Sequence, residues 1–133
     1  MGLFDKKNEE PATAKDFLKR GQKHYKDKDY DNAVADCTRA LELLKLIPKP
    51  NIDEISDSQV TRGLSYYYLK KYELAIKDLG KVANDRGIMY SNPGYKALNE
   101  AKEMLKHERK LNAKDERAKN QLAAIGDEGA VEE

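Results

Sequence analysis

The stretch "GQKHYKDKDYDNAVADCTRAL", residues 21–41, decides how the rest of the chain is read. Residues 63–83, "GLSYYYLKKYELAIKDLGKVA", lie over it without a gap. Gly21 matches Gly63, Tyr25 matches Tyr67, Tyr30 matches Tyr72, Ala33 matches Ala75, Asp36 matches Asp78, and Ala40 corresponds to Val82. One register relates every pair, which chance rarely gives in so short a window. Self-similarity at a fixed period marks a repeat architecture, in which each unit buries its apolar face against its neighbours.

Each copy reads as two helices. In the second helix of copy one, Ala33, Cys37, Ala40, Leu41 and Leu44 recur at the spacing of one helical face. Ala75, Leu79, Val82 and Ala83 do so in copy two. The first helices carry shorter stripes, Phe17 with Gly21, and Val60 with Leu64 and Tyr67. "SDSQ" (56–59) has the form of a capping box with Ser56 as N-cap, and "TAKD" (13–16) is a weaker equivalent. Gly21 and Gly63 stand inside helical patterns, where Gly costs about 1 kcal/mol relative to Ala. A cost repeated at one place in each copy points to close helix–helix approach, with Ala33 and Ala75 as the small residues opposite.

Between the copies, Pro48 and Pro50 in "KLIPKPNIDEI" (45–55) prevent a simple helical continuation and predict an enlarged loop. After copy two, "NDRGIMYSNPG" (84–94) reads as a turn region. Asn92-Pro93 then forms a helix start, Asn as N-cap and Pro as first helical residue. A long helix is expected over about 93–125, with Leu98, Ala101, Leu105 and Leu111 as its apolar face. Its first half would cap the open end of the stack, and its second half would project or fray. Residues 1–12 and the acidic tail 126–133 are expected to be disordered, leaving a helical domain over 13–125.

Composition fits this. The 133 residues suit one domain, with 37% charged, 39% hydrophobic and no Trp. That balance suits helices with one apolar stripe and one solvated face. The formal net charge of +1 provides no global field toward nucleic acid or an anionic membrane. The single cysteine, Cys37, excludes an intramolecular disulfide. The N-terminal stretch lacks the apolar run of a secretory signal, and Lys6 stands where a myristoylation signal prefers Ser or Thr. The expectation is a soluble cytoplasmic protein without membrane insertion.

Catalytic signatures are sparse. His24 and His107 lack metal-site partners, no phosphate-binding Gly-rich loop is present, and Cys37 falls on an apolar stripe, where free Cys acts as a small hydrophobe. The chain reads as non-catalytic, with no cofactor and no metal.

Both copies resemble tetratricopeptide (TPR) repeats. Gly21, Tyr30, Ala33 and Ala40 fall on that motif in copy one (about 14–44), with Phe17 in place of its Trp. Gly63, Tyr66, Tyr72 and Ala75 do so in copy two (about 56–84), while Gln59 replaces the motif's Trp and Val82 its late Ala. The motif's terminal Pro is missing from both copies. The resemblance implies an all-α fold of TPR-like helical hairpins with a long C-terminal capping helix. It also implies an adaptor or co-chaperone-like module whose concave groove binds a peptide or helix segment of another protein. Its groove positions correspond to Lys15, Leu18, Lys19, Gln22, Tyr25 and Lys26 in copy one, and to Asp57, Val60, Thr61, Leu64, Tyr67 and Tyr68 in copy two. One TPR subclass clamps the C-terminal carboxylate of chaperones. Here Leu18, Gln22 and Thr61 occupy the clamp positions, so a chaperone tail is disfavoured.

The long helix offers alternatives. Lys102, Lys106, Arg109, Lys110 and Lys114 make a loosely basic surface, but acids are interleaved, as in Glu103–Lys106 and Asp115–Lys119. A nucleic-acid partner is therefore not expected, and weak nucleic-acid binding through this basic face stands only as a third reading. A structural assembly role, with self-association through Leu98, Leu105 and Leu111, is the other reading.

Overall fold

The structure, a computed structural model, describes the backbone of residues 12–132 and the side chains of residues 12–125. Five helices follow one another: α1 (Ala14–Lys26), α2 (Tyr30–Lys45), α3 (Ile52–Tyr68), α4 (Tyr72–Asp85) and α5 (Pro93–Glu132). The described residues contain no strand, so the fold is all-helical. Of the expected N-terminal disordered segment 1–12, all but Ala12 lies outside the described residues.

Two hairpins, α1–α2 and α3–α4, repeat the same local chemistry. Two residues past the end of each first helix stands a lysine with left-handed backbone, Lys28 at φ 61° and Lys70 at φ 62°. That conformation costs a side-chain-bearing residue about 1–2 kcal/mol. Two backbone bonds hold it at each site. Asp29 N–H donates to the His24 carbonyl and Lys71 N–H to the Tyr66 carbonyl, both at 2.8 Å, while Lys28 and Lys70 donate to Tyr25 and Tyr67. This is the paired bonding of a Schellman helix end, with Lys where Gly is usual.

The glycines behave as the repeat suggests. A Cβ on Gly21 would lie 2.9 Å from Cys37 Sγ, and one on Gly63 would lie 2.7 Å from Leu79 Cγ. The second helix of each hairpin thus crosses its first helix at the glycine. The residues opposite are Cys37 with Asp36, and Leu79 with Asp78. Ala33 contributes only its carbonyl oxygen at 3.4 Å, and Ala75 is not among the nearest atoms at Gly63. The expected small-residue partners are corrected to that extent.

The expected Ser56 N-cap is also corrected. Helix α3 starts one turn earlier, capped by Asn51, whose Oδ1 accepts from Asp53 N–H at 2.9 Å and Glu54 N–H at 3.2 Å. Tertiary contacts hold the extra turn. Ile55 packs on the core of the first hairpin. Arg86, at the end of α4, reaches Asp53 Oδ1 at 2.8 Å and Ser56 Oγ at 3.0 Å. The connection between hairpins is therefore six residues, 46–51, shorter than the expected loop. Thr13 does cap α1, accepting from Asp16 N–H at 3.2 Å.

Packing is a stack of neighbours. α3 lies on α1 and α2 as well as on its partner α4, and α5 lies on α3 and α4. Phe17, Leu18, Cys37, Ala40 and Leu44 form the core of the first hairpin. Leu64, Leu79, Ala97 and Leu98 join the second hairpin to α5, as do Tyr72, Ala75 and Ala101. Asn92 opens α5 as expected, its Oδ1 accepting from Gly94 N–H at 2.8 Å.

Only the start of α5 is packed. Ala97, Leu98 and Ala101 are buried and Leu105 is half-buried, whereas every side chain from Lys106 to Ile125 is exposed. These residues form an overhang of about 30 Å at 1.5 Å per residue. The helix continues through residue 132, beyond the boundary expected at 125 and into the expected tail. Leu111 is exposed, so it does not extend the packed face. Leu98 is buried in the bundle, so the expected seam of Leu98, Leu105 and Leu111 is not a free coiled-coil edge. No helix of the described residues is long and apolar enough to cross a membrane.

Candidate functional site

The hairpin repeat places tyrosines at matching helix ends, and the stack brings them together. Tyr25 ends α1, Tyr30 begins α2, Tyr67 and Tyr68 end α3, and Tyr72 begins α4. Their rings form one continuous row. Tyr30 stacks on Tyr68 with centroids 4.9 Å apart and planes 11° from parallel. Tyr25 lies 5.8 Å from Tyr30 and 6.2 Å from Tyr68. Tyr67 meets Tyr68 edge-on at 5.2 Å and Tyr72 at 6.2 Å. Aromatic pairs at these separations contribute about 0.5–1.5 kcal/mol beyond the area that they bury.

The row is graded in exposure. Tyr72 is buried, Tyr25, Tyr30 and Tyr67 are half-buried, and Tyr68 is exposed. Burial, with Tyr68 and Tyr30 alongside, pushes the Tyr25 phenol up to about 12. The Tyr67 hydroxyl donates to Glu100 of α5, and this hydrogen bond is the main reason its phenol also rises to about 12. Both rings therefore stay neutral and can act as hydrogen-bond donors. Where the row meets α5, Tyr67, Tyr72, Asn99, Glu100, Glu103 and Met104 line an open pocket of about 360 Å³.

The residues expected to line a groove separate into three groups. Tyr25, Tyr67 and Tyr68 are brought together. Val60 and Leu64 share a cluster with Tyr25 and Tyr67, but Val60 is half-buried and Leu64 is only 7% exposed, packed with Leu79 and Leu98. Leu18 and Thr61 are also buried, at 5% and 7%, and Leu18 belongs to the core of the first hairpin with Phe17 and Cys37. These three face the chain itself, because each offers more contact to a neighbouring helix than to solvent. Lys15, Lys19, Lys26 and Asp57 are exposed and Gln22 is half-buried. Of the expected groove residues, Tyr68, Lys15, Lys19, Lys26 and Asp57 are thus the exposed ones.

One paired feature lies just outside the stretch that was matched. Arg20 and Arg62 occupy equivalent positions, one residue before Gly21 and Gly63. Arg20 donates Nε and Nη2 to the two carboxylate oxygens of Asp36, both at 2.8 Å. Arg62 grips Asp78 in the same way at 2.7 Å and adds a bond to Thr38 Oγ1 at 3.2 Å. Asp36 and Asp78 are both 5% exposed. Extending the self-comparison by one residue would have exposed the pair.

Cys37 is fully buried, and burial pushes its thiol up to about 12, so no thiolate nucleophile exists there at neutral pH. Among the described residues, no three His, Cys, Asp or Glu side chains group so as to hold a metal ion. No family model, curated protein or solved structure matches this chain.

Proposed function

We propose that the chain is a non-catalytic, cytoplasmic protein-binding module of TPR type, holding a peptide segment of a partner along the tyrosine row. The observation that carries the reading is the row itself. Five rings from four helices form one surface, partly open, and exposed Lys26, next in sequence to Tyr25, would favour an acidic residue in the peptide. Tyrosine offers large contact area with little rotamer entropy to lose and keeps a polar tip. The duplicated hairpins with Gly, Tyr and Ala in register support the TPR assignment, and α5 takes the place of a capping helix. The clamp positions Leu18 and Thr61 are buried and uncharged, which argues against a chaperone tail as the ligand.

The test is capture of partners from the native source by the wild type and by Tyr68→Ala/Lys26→Glu. Both positions are exposed, so the variant should stay folded by circular dichroism, melting somewhat lower for the lost ring contacts of Tyr68, while the specific partner is lost. Unchanged capture by the folded variant would refute the reading.

A second reading, assembly through α5, is favoured by exposed Leu111, Leu122 and Ile125 on the overhang, at 46%, 68% and 63%. It requires a mass that rises with concentration in sedimentation, and a strict monomer would remove it.

A further inference from the structure

The clefts beside α5 differ in the charge of the α5 residues that line them. Glu100 and Glu103 line the pocket beside Tyr67 and Tyr72. On the other side, α5 and Ile76 of α4 enclose a cleft of about 540 Å³. Ile76, Leu105 and Ala113 supply its apolar lining, and Lys102, Lys106, Arg109 and Lys110 supply its charge, with no carboxylate among the lining residues. Of these cations only Arg109 has an acidic partner among the described residues, Glu73 at 3.6 Å. The anticipated Glu103–Lys106 pair is not formed. A second cleft of about 530 Å³ shares Ile76 and Lys102 and extends the first along α4 past Leu98. It adds Lys77 and Lys81, and its one carboxylate, Asp85, is already paired with Lys81 at 3.2 Å.

We propose that this continuous channel between α4 and α5 is a second docking site, which takes an acidic amphipathic helix of a partner protein. From Leu98 to Ala113 the channel wall is about 22 Å long, enough for about four helical turns. The α5 residues along it recur at three- and four-residue steps, the ridge that a packed helix fits into. The apolar lining would take the partner's apolar stripe, and the unpaired lysines would face acids flanking that stripe, the helix-in-groove mode. A second copy of this chain is the wrong occupant. The same stretch of a second copy carries Lys102, Lys106, Arg109, Lys110 and Lys114 against Glu103 and Glu108, so laying it in the channel sets a net positive segment beside the channel's own cations. A polynucleotide fits less well, because no ring lines the channel on which bases could stack.

The experiment titrates the full chain into a fluorescein-labelled designed helix of about 18 residues. It carries leucines at three- and four-residue spacing with glutamates on both flanks, and binding is read by anisotropy. A second probe has lysine for every glutamate, and a third is oligouridine of equal length. The glutamate helix is expected to bind at low salt, the lysine helix not at all, and oligouridine far more weakly. Lys106→Glu/Lys110→Glu should weaken binding about tenfold or more. Ala113→Arg separates docking from simple charge attraction, since it adds a cation while filling an exposed part of the channel. Docking requires weaker binding, and tighter binding would overturn the proposal. So would absence of binding at low salt, equal affinity for oligouridine, or a self-associated dimer that Ala113→Arg dissolves. Tyr68→Ala should leave the affinity unchanged, which keeps this site distinct from the tyrosine row. Loss of binding in that variant would assign the probe to the row and overturn the channel.

Discussion

Arg62 holds both carboxylate oxygens of Asp78, at 2.7 Å each, across the contact between α3 and α4. The Arg62 side chain is 22% exposed and that of Asp78 is 6% exposed. Removing one member of such a pair leaves the other charge poorly solvated, at a cost of about 3–5 kcal/mol for a buried pair. Asp78→Ala is therefore expected to lower the urea midpoint sharply. Asp36→Ala should cost less, because Arg20 is 38% exposed and its charge can turn to water. Arg62→Leu combined with Asp78→Leu should recover much of the single-variant loss. Equal midpoints for wild type and Asp78→Ala would show that the pair contributes nothing.

Gly63 and Gly80 should respond to alanine with opposite signs. A Cβ at Gly63 would sit 2.7 Å from the branch carbon of Leu79, which is completely buried. Overpacking of this kind costs about 1–3 kcal/mol, which outweighs the gain of about 1 kcal/mol in helix propensity. At Gly80 an added Cβ meets nothing within 4 Å, so Gly80→Ala should stabilise α4 by about 1 kcal/mol. Thermal melting of the two variants checks both signs.

Alkali should loosen the tyrosine row. The Tyr67 phenol has an ordinary value of 10.0 and is raised to about 12 by its bond to Glu100 and by burial. The folded state thus holds this proton more tightly than the unfolded state. Its contribution is complete below pH 10 and is lost as the pH rises through about 12. Tyr25 behaves alike. Tyr67→Phe should therefore flatten, without abolishing, the fall in stability over that window. Urea midpoints measured at several pH values would show a change of slope, and identical slopes would sink the argument.

The overhang of α5 should be dispensable for stability. A chain ending at residue 113 is expected to melt within a few degrees of the full chain, since the side chains removed through Ile125 are exposed. Leu98→Ala, by contrast, opens a cavity where α5 joins Leu64 and Leu79 and should cost about 2–5 kcal/mol. A large fall in melting temperature on truncation would show that the overhang packs in solution.

Much of the helical plan was legible in one dimension. The stripes of Ala33, Cys37, Ala40, Leu41 and Leu44, and of Ala75, Leu79 and Val82, are buried as their spacing required. Thr13 and Asn92 open their helices as their side chains suggested. Local chemistry sets these features, so a sequence shows them. Ser56 was misassigned because the turn before it is held by distant residues, Ile55 against the first hairpin and Arg86 against Asp53 and Ser56. Of the groove positions, Leu18, Thr61 and Leu64 could not be known as covered until the neighbouring helices were in place.

The sequence alone determined that there are five helices, that two hairpins repeat, and most of the helix bounds, though not the start of α3 or the end of α5. It could do so because periodicity, caps and small residues act within a few turns of one chain. Only the tertiary structure decided that Tyr25, Tyr30, Tyr67, Tyr68 and Tyr72 form one row, and that one cleft between α4 and α5 is lined by cations without a carboxylate. Those outcomes depend on which faces helices turn toward one another. That is settled by burying apolar surface across the whole stack, from contacts between residues dozens of positions apart.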